Sequence, residues 1–294
     1  MNMFKSFKLN SYAKINLTLE ILGRRKDGFH EISSIFQTIN LYDTIHFQHS
    51  TDFTVSTNLE SLNNRDNLVY QAGILLKDYM NVKFGANILV DKNIPISSGL
   101  GGGSSNAAVT LLGLSKLWNL NIKFDQLVDL ASQIGSDVSF FLFGGTAQVS
   151  GKGEVVSKLP SINEMKIILI FPDQYPKFSN LNHSKTALAY SFLSEKNYTD
   201  GKYTNDLATI IKRNSQPDYS DFFNAFSDVY SDVFRDINNP FISLNNIGIF
   251  KFCVSGSGPT LFIPTCEEDD IDSLVKKINE IYGFKAIVTS LVSE

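Results

Sequence analysis

Residues 95–118 read PISSGLGGGSSNAAVTLLGLSKLW, and four of the five positions from Gly99 to Gly103 are glycine. Such a run weakens a fold unless the backbone is needed there, because glycine loses more conformational freedom on folding than any other residue. The preceding GANILVDKNIPI alternates Ala86, Ile88 and Val90 against polar neighbours and predicts a strand. The segment after the glycines predicts a helix with a broad apolar face of Ala107, Ala108, Leu111, Leu112, Leu114 and Trp118. Strand, glycine turn and helix N-terminus together make an anion site, since the first N–H groups of a helix lack internal partners and its dipole favours negative charge there. Ser104 or Ser105 is expected to cap this helix and to offer a hydroxyl to phosphate or metal. The familiar phosphate loops do not fit. No lysine follows the glycines, Ser104 stands where a dinucleotide fingerprint needs its third glycine, and neither H-R-D nor D-F-G occurs. A turn that merely packs strand against helix is the alternative.

Upstream, YAKINLTLEIL alternates Ala13, Ile15, Leu17, Leu19 and Ile21 with Lys14, Asn16, Thr18 and Glu20, so a strand is expected with the four polar residues on one face. GRRKDGFHE predicts a loop turning at Asp27-Gly28, TIHFQHSTDFTVST a hairpin, and NLVYQAGILLKDYM a helix. FDQLVDLASQIG predicts a helix stopped by Gly135, SDVSFFLF a short helix, and GTAQVSGKGEVVSKL a hairpin turning at Gly151-Lys152-Gly153. The pattern restarts near Pro160 with the strand MKIILIF, and the polar stretch to Asp218 is expected to carry helices, with Asp206 fixing a helix start. IFKFCVSGSGPTLFIPT reads as strand, glycine turn, strand; EEDDIDSLVKKINEIYG as a helix; KAIVTSLV as a closing strand. This β-β-α-β tail suggests an α+β layer. A boundary near residue 157 divides the chain into 1–157 and 158–294 without a long linker.

Composition removes several classes of function. The net charge of −4 is spread over interspersed acids and bases, so no basic stripe suggests nucleic acid. The aliphatic run IILIF is far shorter than a membrane span, and MNMFKSFKLNSYAK lacks the apolar core of a signal peptide. Cys253 and Cys266 form no C-x-x-C and are read as buried small hydrophobes. His46, His49 and His183 lack ligand spacing and are read as surface residues. A soluble cytoplasmic protein with neither nucleic-acid nor membrane partners is expected.

The stretch PISSGLGGGSSNAA resembles the central motif of the GHMP kinases, the galacto-, homoserine, mevalonate and phosphomevalonate kinase superfamily. AKINLTLEILGRRKDGFHEI resembles the superfamily's N-terminal motif, and CVSGSGPTLF its C-terminal glycine loop. With RDNLVYQA, DKNIP, IGSDVSFFLFGGTA and YTNDL, the set is most similar to the family acting on 4-diphosphocytidyl-2-C-methyl-D-erythritol in the non-mevalonate isoprenoid precursor pathway, over about residues 10–264. The chain departs from that pattern at Ser136 and Ser139, where alanine and proline are usual, at Tyr12, and in the longer, more polar DQYPKFSNLNHSKTALAY.

The resemblance implies an α+β, two-domain GHMP kinase fold: an N-terminal S5-like α/β domain for ATP and catalysis, a C-terminal ferredoxin-like domain on the substrate side, and the active site between them. It implies ATP-dependent phosphorylation of the substrate's 2-hydroxyl, with Mg2+ accompanying ATP. Lys14 and Asp137 match the family's catalytic pair. On the residues alone a solvated strand lysine and an N-cap aspartate remain open. By resemblance Gly99, Gly101, Gly102, Gly103, Ser104 and Ser105 cradle the ATP phosphates, Asn67, Lys92 and Pro95 line the nucleoside side, and Ser105 is the candidate metal ligand. Asn16, Phe29, His30 and Tyr190 match the cytidine side, and Gly256, Ser257 and Gly258 close over the diphosphate or methylerythritol end. The implied partner is the small-molecule cytidine diphosphate substrate, bound by a monomer or homodimer. Another GHMP small-molecule kinase, such as a homoserine kinase, and an inactive nucleotide-binding paralogue are the alternatives. The GFHE loop argues against the first, and Lys14, Asp137 and the glycine turn together argue against the second.

Overall fold

The computed structural model describes residues 6–172, 185–233, 239–266, 268–281 and 283–293. His183 and most of the polar segment before Thr186 lie outside them. The chain opens with two long strands, β1 (Ser6–Arg24) and β2 (His30–Ser50), paired antiparallel along almost their whole length. β3 (Phe53–Thr57), α1 (Leu68–Tyr79) and β4 (Gly85–Asp91) come next, then α2 (Gly102–Leu117), α3 (Phe124–Ile134), α4 (Val138–Phe143), β5 (Thr146–Gly151) and β6 (Val155–Lys158). β2 serves two neighbours on its far side. Its first half pairs with β5 and its second half with β4. β3 pairs parallel with β4, which lies between it and β2, so residues 44–57 form two strands of one sheet and not the expected hairpin.

The second half contributes β7 (Lys166–Pro172), α5 (Lys185–Ser191), α6 (Lys202–Lys212), β8 (Phe223–Asn224), α7 (Phe226–Val233), α8 (Pro240–Asn246), β9 (Cys253–Val254), β10 (Leu261–Pro264), α9 (Ile271–Asn279) and β11 (Phe284–Ser290). A four-stranded antiparallel sheet runs β11-β7-β10-β9. The sheets change over between Lys158 and Lys166, but β8 pairs parallel with β1 in the first sheet. One apolar cluster joins Ala13, Ile15 and Leu17 of β1 to Ile167 and Leu169 of β7, Leu207 of α6 and Phe262 of β10. The two halves therefore share a core.

The simple alternation expected in β1 is broken. A register shift between Asn16 and Thr18 changes which face each residue takes, as an irregularity of odd length must in a period-two strand. Lys14, Asn16 and then Leu19 line one cleft. Thr18 and Glu20 instead meet α6, where the Thr204 hydroxyl lies 3.0 Å from that of Thr18 and the Thr204 N–H donates to Glu20 Oε2 at 2.7 Å. All four polar residues are buried, so the solvated-lysine reading fails. Glu20 also holds the start of α6, and Asp206 sits exposed further along that helix. Cys253 is half-buried, and its thiol is pushed up to about 12 by desolvation; Cys266 is exposed, contrary to expectation. His46 is half-exposed and pairs with Asp91 at 2.9 Å.

Candidate active site

The glycine turn has the left-handed backbone its composition calls for, with one change of detail at the cap. Gly99 and Gly101 take positive φ, +83° and +70°, which a side chain would strain. Gly101 is the N-cap of α2, and no side chain caps that helix. Ser104 and Ser105 lie inside its first turn and are not its caps. The Ser105 N–H already donates to Gly101 O at 2.9 Å, which leaves the N–H groups of Gly102, Gly103 and Ser104 as the unpaired donors of the turn. The space around each glycine separates their roles. At Gly101 a Cβ would lie 2.7 Å from the Phe141 ring and 3.2 Å from Lys14 Cε, and at Gly102 it would press on Ile94 at 2.9 Å. At Gly103 the nearest heavy atom would be Leu68 Cδ1 at 3.6 Å, an ordinary contact, so packing leaves room there for a side chain. Gly103 is exposed and lines the cleft.

The cleft, of about 930 Å³, runs from this turn to the β1–β2 turn. Its centre holds Lys14 and Asp137. Lys14 is 3% exposed; its Nζ donates to Asn16 Oδ1 at 2.7 Å, lies 3.4 Å from Asp137 Oδ2 and sits 4.4 Å above the Phe36 ring. Its backbone N–H donates to Leu100 O at 3.0 Å, so the strand that carries the ammonium also pins the phosphate turn. Asp137 stands at the N-cap position of α4 but makes no side-chain cap hydrogen bond, which removes the capping explanation of its presence. Gly153, in the β5–β6 turn, passes close by: a Cβ there would lie 3.4 Å from Asp137 Oδ1.

At the far end, Arg25 ties its own turn together. Its guanidinium pairs with Asp27 at 3.2 Å and with Glu31, and the Phe29 N–H donates to Asp27 Oδ1 at 3.1 Å. Glu31 also accepts from the Gly151 N–H at 3.1 Å, linking this turn to β5–β6. His30 stacks at a tilt on Tyr190, 5.2 Å between centroids, and meets the edge of Tyr198 at 6.2 Å. Burial and the nearby Arg24 charge hold the His30 imidazole below its ordinary value, so it is neutral at pH 7. Desolvation, with the Asp137 charge, pushes the Tyr190 phenol well up, so it too is neutral. Phe29 is 53% exposed, with the Lys152 ammonium 5.0 Å above its ring.

Most of the expected site residues meet in this one cleft: beside Lys14 and Asp137, it is lined by Asn16, Phe29, His30 and Tyr190 at one end. Gly99, Gly101, Gly102, Gly103 and Ser104 line the other, with Asn67, Lys92 and Pro95 beside them. Gly256 and Ser257 enter from the C-terminal glycine loop. That loop leans on the phosphate turn, with Ser255 Oγ donating to Gly99 O at 3.2 Å. Two expected residues do not line it. Ser105 Oγ points away into a buried hydrogen bond with Ser11 Oγ at 2.7 Å, so it is no metal ligand here. Gly258 backs onto Tyr230 behind the loop. Asn67 borders the cleft, but its side chain caps α1, accepting from the Val69 N–H and donating to Leu62 O. Lys152, Tyr198 and Phe36 also line the cleft, though no motif pointed to them. The two glycines that flank Lys152 were a signal that its turn must pass close to something.

Among the described residues no group of three or more His, Cys, Asp or Glu is arranged to hold a metal ion. Oxygen donors near the turn and the pair, such as the Ser104 hydroxyl and the Asp137 carboxylate, suit a cation that arrives on a nucleotide better than a resident one.

A helix N-terminus open to phosphate, facing a lysine–aspartate pair across one cleft, defines a small-molecule kinase of the GHMP class, and residues 67–145 match the model of the GHMP kinases N terminal domain. The 4-diphosphocytidyl-2-C-methyl-D-erythritol kinase of Dehalococcoides mccartyi is 35% identical over 250 residues, 85% of this chain and 86% of that protein. That of Caldicellulosiruptor saccharolyticus is 37% identical over 257 residues, 86% of each. The chain belongs to the 4-diphosphocytidyl-2-C-methyl-D-erythritol kinase family. A crystal structure of 4-(cytidine 5'-diphospho)-2C-methyl-D-erythritol kinase superposes with a TM-score of 0.78 at 26% identity, covering 98% of this chain and 100% of the other. The Methanococcus jannaschii mevalonate kinase shares the fold, with a TM-score of 0.69 at 17% identity and coverage of 98% and 99%.

Proposed function

We propose that this protein transfers the γ-phosphoryl group of ATP to the 2-hydroxyl of 4-diphosphocytidyl-2-C-methyl-D-erythritol. The observation that carries this reading is the Lys14–Asp137 pair, 3.4 Å apart between the glycine turn and the ring-lined end of one cleft. Phosphoryl transfer asks a protein for positioning and for charge stabilisation. The N–H groups of Gly102, Gly103 and Ser104 hold the phosphates, and His30, Tyr190 and Phe29 hold the cytosine by stacking. As the substrate oxygen bonds to the γ-phosphorus and the bond to the ADP oxygen breaks, the hydroxyl proton passes to the Asp137 carboxylate. Lys14 keeps that carboxylate ionised and meets the charge that develops on the moving group. Asn16 fixes the direction of the ammonium. Mg2+ travels with ATP and supplies further neutralisation when bound; Ser104 and Asp137 are the side chains that would hold it.

Residues 1–157 make the ATP and catalytic side in this reading, and residues 158–294 complete the acceptor side, adding Tyr190, Gly256 and Ser257 to Asn16, Phe29 and His30 of the first half. The reading is of a cytoplasmic enzyme working as a monomer or homodimer; among the described residues no helix is long and apolar enough to cross a membrane. A coupled ADP-release assay tests the substrate. ADP is expected with the cytidyl compound and not with homoserine or phosphomevalonate; release with homoserine alone overturns the reading.

A further inference from the structure

Lys92 lines the nucleotide end of the cleft, yet its ammonium is already engaged. It pairs with the Asp43 carboxylate and donates to Asn106 Oδ1 at 2.9 Å. Asp43 is 0% exposed and accepts four bonds. Its Oδ1 takes the backbone N–H groups of Asn93 at 2.7 Å and Ile94 at 2.8 Å, and its Oδ2 takes Lys92 and the Asn106 amide, the latter at 2.8 Å. The Asn106 amide reaches on to Ser11 at 2.8 Å, and Ser11 meets Ser105. One carboxylate in β2 thus binds the exit of β4 and the second turn of α2, and through Asn106 it reaches Ser11 of β1. Ile94, whose N–H it holds, is the side chain packed under Gly102.

We propose that Asp43 is a positioning residue for the nucleotide: it fixes the chain between β4 and the phosphate turn and holds the Lys92 ammonium at the rim of the cleft, so that Lys92 serves ATP through Asp43 and not as an independent phosphate ligand. This rests on the ATP site of the proposed function. The physical reason is the size of the mismatch if either charge is left alone. A buried ion pair contributes little as a pair, but removing one partner leaves an uncompensated charge inside the protein. The carboxylate is satisfied at every lone pair it offers, which is the condition under which such a network holds one geometry. Among the described residues no hydrogen bond or ion pair joins Asn16, Phe29, His30 or Tyr190 to this network, so cytidyl binding is expected to be independent of it.

The test is a double-mutant cycle on Asp43→Asn and Lys92→Met, read by calorimetric binding of ADP and by KM for each substrate. Each single variant is expected to weaken ADP about 10-fold or more while KM for the cytidyl substrate stays within about twofold. The double variant is expected to bind ADP no more weakly than the worse single, because both act on one unit. It removes both charges together, so it remains measurable even if Asp43→Asn alone does not fold. Wild-type affinity in a folded Asp43→Asn or double variant overturns the proposal. So do losses that multiply in the double variant, which would make Lys92 a ligand in its own right. An equal rise in both KM values also overturns it, since general loosening would do that. Failure of the wild-type protein to bind ADP at all is a different result and counts against the ATP site itself.

Discussion

On the proposed function, the two ends of the cleft hold their ligands by opposite means. The phosphate end is made of backbone. Its donors are helix N–H groups, Gly99, Gly101 and Gly102 are fixed by left-handed φ or by close neighbours, and a fully buried carboxylate ties the segment that leads into it. The cytidine end is made of side chains. Phe29 is more exposed than buried, His30 leans on two other rings, and an Arg25 ion-pair set shapes the turn. A backbone cradle cannot adapt, and it favours a group common to every ATP. A set of rings and flexible cations can adjust, and it can be altered to read another base. The catalytic pair stands where the two meet, on β1 and at the start of α4, so both ends are referred to the same strand.

The largest effect expected is at that junction. Asp137→Asn preserves size and hydrogen bonding but removes charge and basicity. A positioned base contributes about 10²–10⁴ in rate, so kcat should drop by that order, while ATP and cytidyl affinities change little. Lys14→Met should also lower kcat strongly, and the double variant should be scarcely worse than either single, as for residues that act as one unit. Steady-state kinetics with both substrates varied checks this. An Asp137→Asn enzyme keeping more than about a tenth of wild-type kcat contradicts the catalytic assignment.

Next in size is the backbone cradle. Gly103→Ala adds a methyl that packing tolerates and that a helix prefers, so thermal stability should rise slightly, by about 0.5–1 kcal/mol. Yet Gly103 lines the cleft beside unpaired N–H groups, where an added methyl would crowd a bound phosphate. Loss of one hydrogen bond to a charged group costs about 1.5–3 kcal/mol, so ATP affinity should fall about 10- to 150-fold. Calorimetry and a melting curve on the same sample separate the two effects. A more stable protein with unchanged ATP binding would move the cradle elsewhere.

The glycine turn was legible from the residues themselves, whereas Asn16, Phe29, His30 and Tyr190 came only through the resemblance, for a physical reason. Glycines clustered before an apolar-periodic helix have few uses, so GLGGGSS announces its role locally. The serines misled in detail: capping logic made Ser105 a hydroxyl donor to the ligand, but the helix starts at Gly102, which turns Ser105 inward to Ser11. Asp43 gave no sign at all, because its side-chain partners Lys92 and Asn106 lie 49 and 63 residues away in the chain. Period-two reading of β1 identified the strand and placed Lys14 correctly, but a register shift is invisible to alternation, and Thr18 and Glu20 crossed to the other face. The hairpin expected over residues 44–57 failed because β4 enters between its strands. That is a tertiary choice no local pattern records.

The ring-lined end should respond more gently. His30→Ala removes one stacking face of the cytosine site. Base–aromatic stacking is worth about 1–3 kcal/mol, so KM for the cytidyl substrate should rise about 5- to 150-fold with ATP KM unchanged. Because burial and Arg24 hold His30 neutral at pH 7, the wild-type cytidyl KM should be flat above neutrality. It should rise only when acid protonates the ring below the ordinary imidazole range, and His30→Ala should lose that acid limb. A cytidyl KM that does not respond to the substitution removes His30 from the pocket.

The smallest effect is the most informative about the contrast between the ends. Lys152 lies over the Phe29 ring at 5.0 Å, on a turn that Glu31 hangs from the β1–β2 turn. If its task is to hold an exposed ring in place, Lys152→Met loses a cation–π contact worth about 0.5–1 kcal/mol, and cytidyl KM should rise only about 2- to 5-fold, with kcat intact. The ring carries a quadrupole and no full charge, so the contact should depend weakly on salt. A lysine that instead neutralised the substrate diphosphate would behave like part of the phosphate end. Its loss would then cost about 10-fold or more, as hydrogen bonds between charged groups do, and the penalty would shrink as salt is raised. Measuring cytidyl KM for Lys152→Met at low and high salt distinguishes the two. The small, salt-insensitive change keeps the ends distinct, and the large, salt-sensitive one extends charge-based binding across the whole cleft.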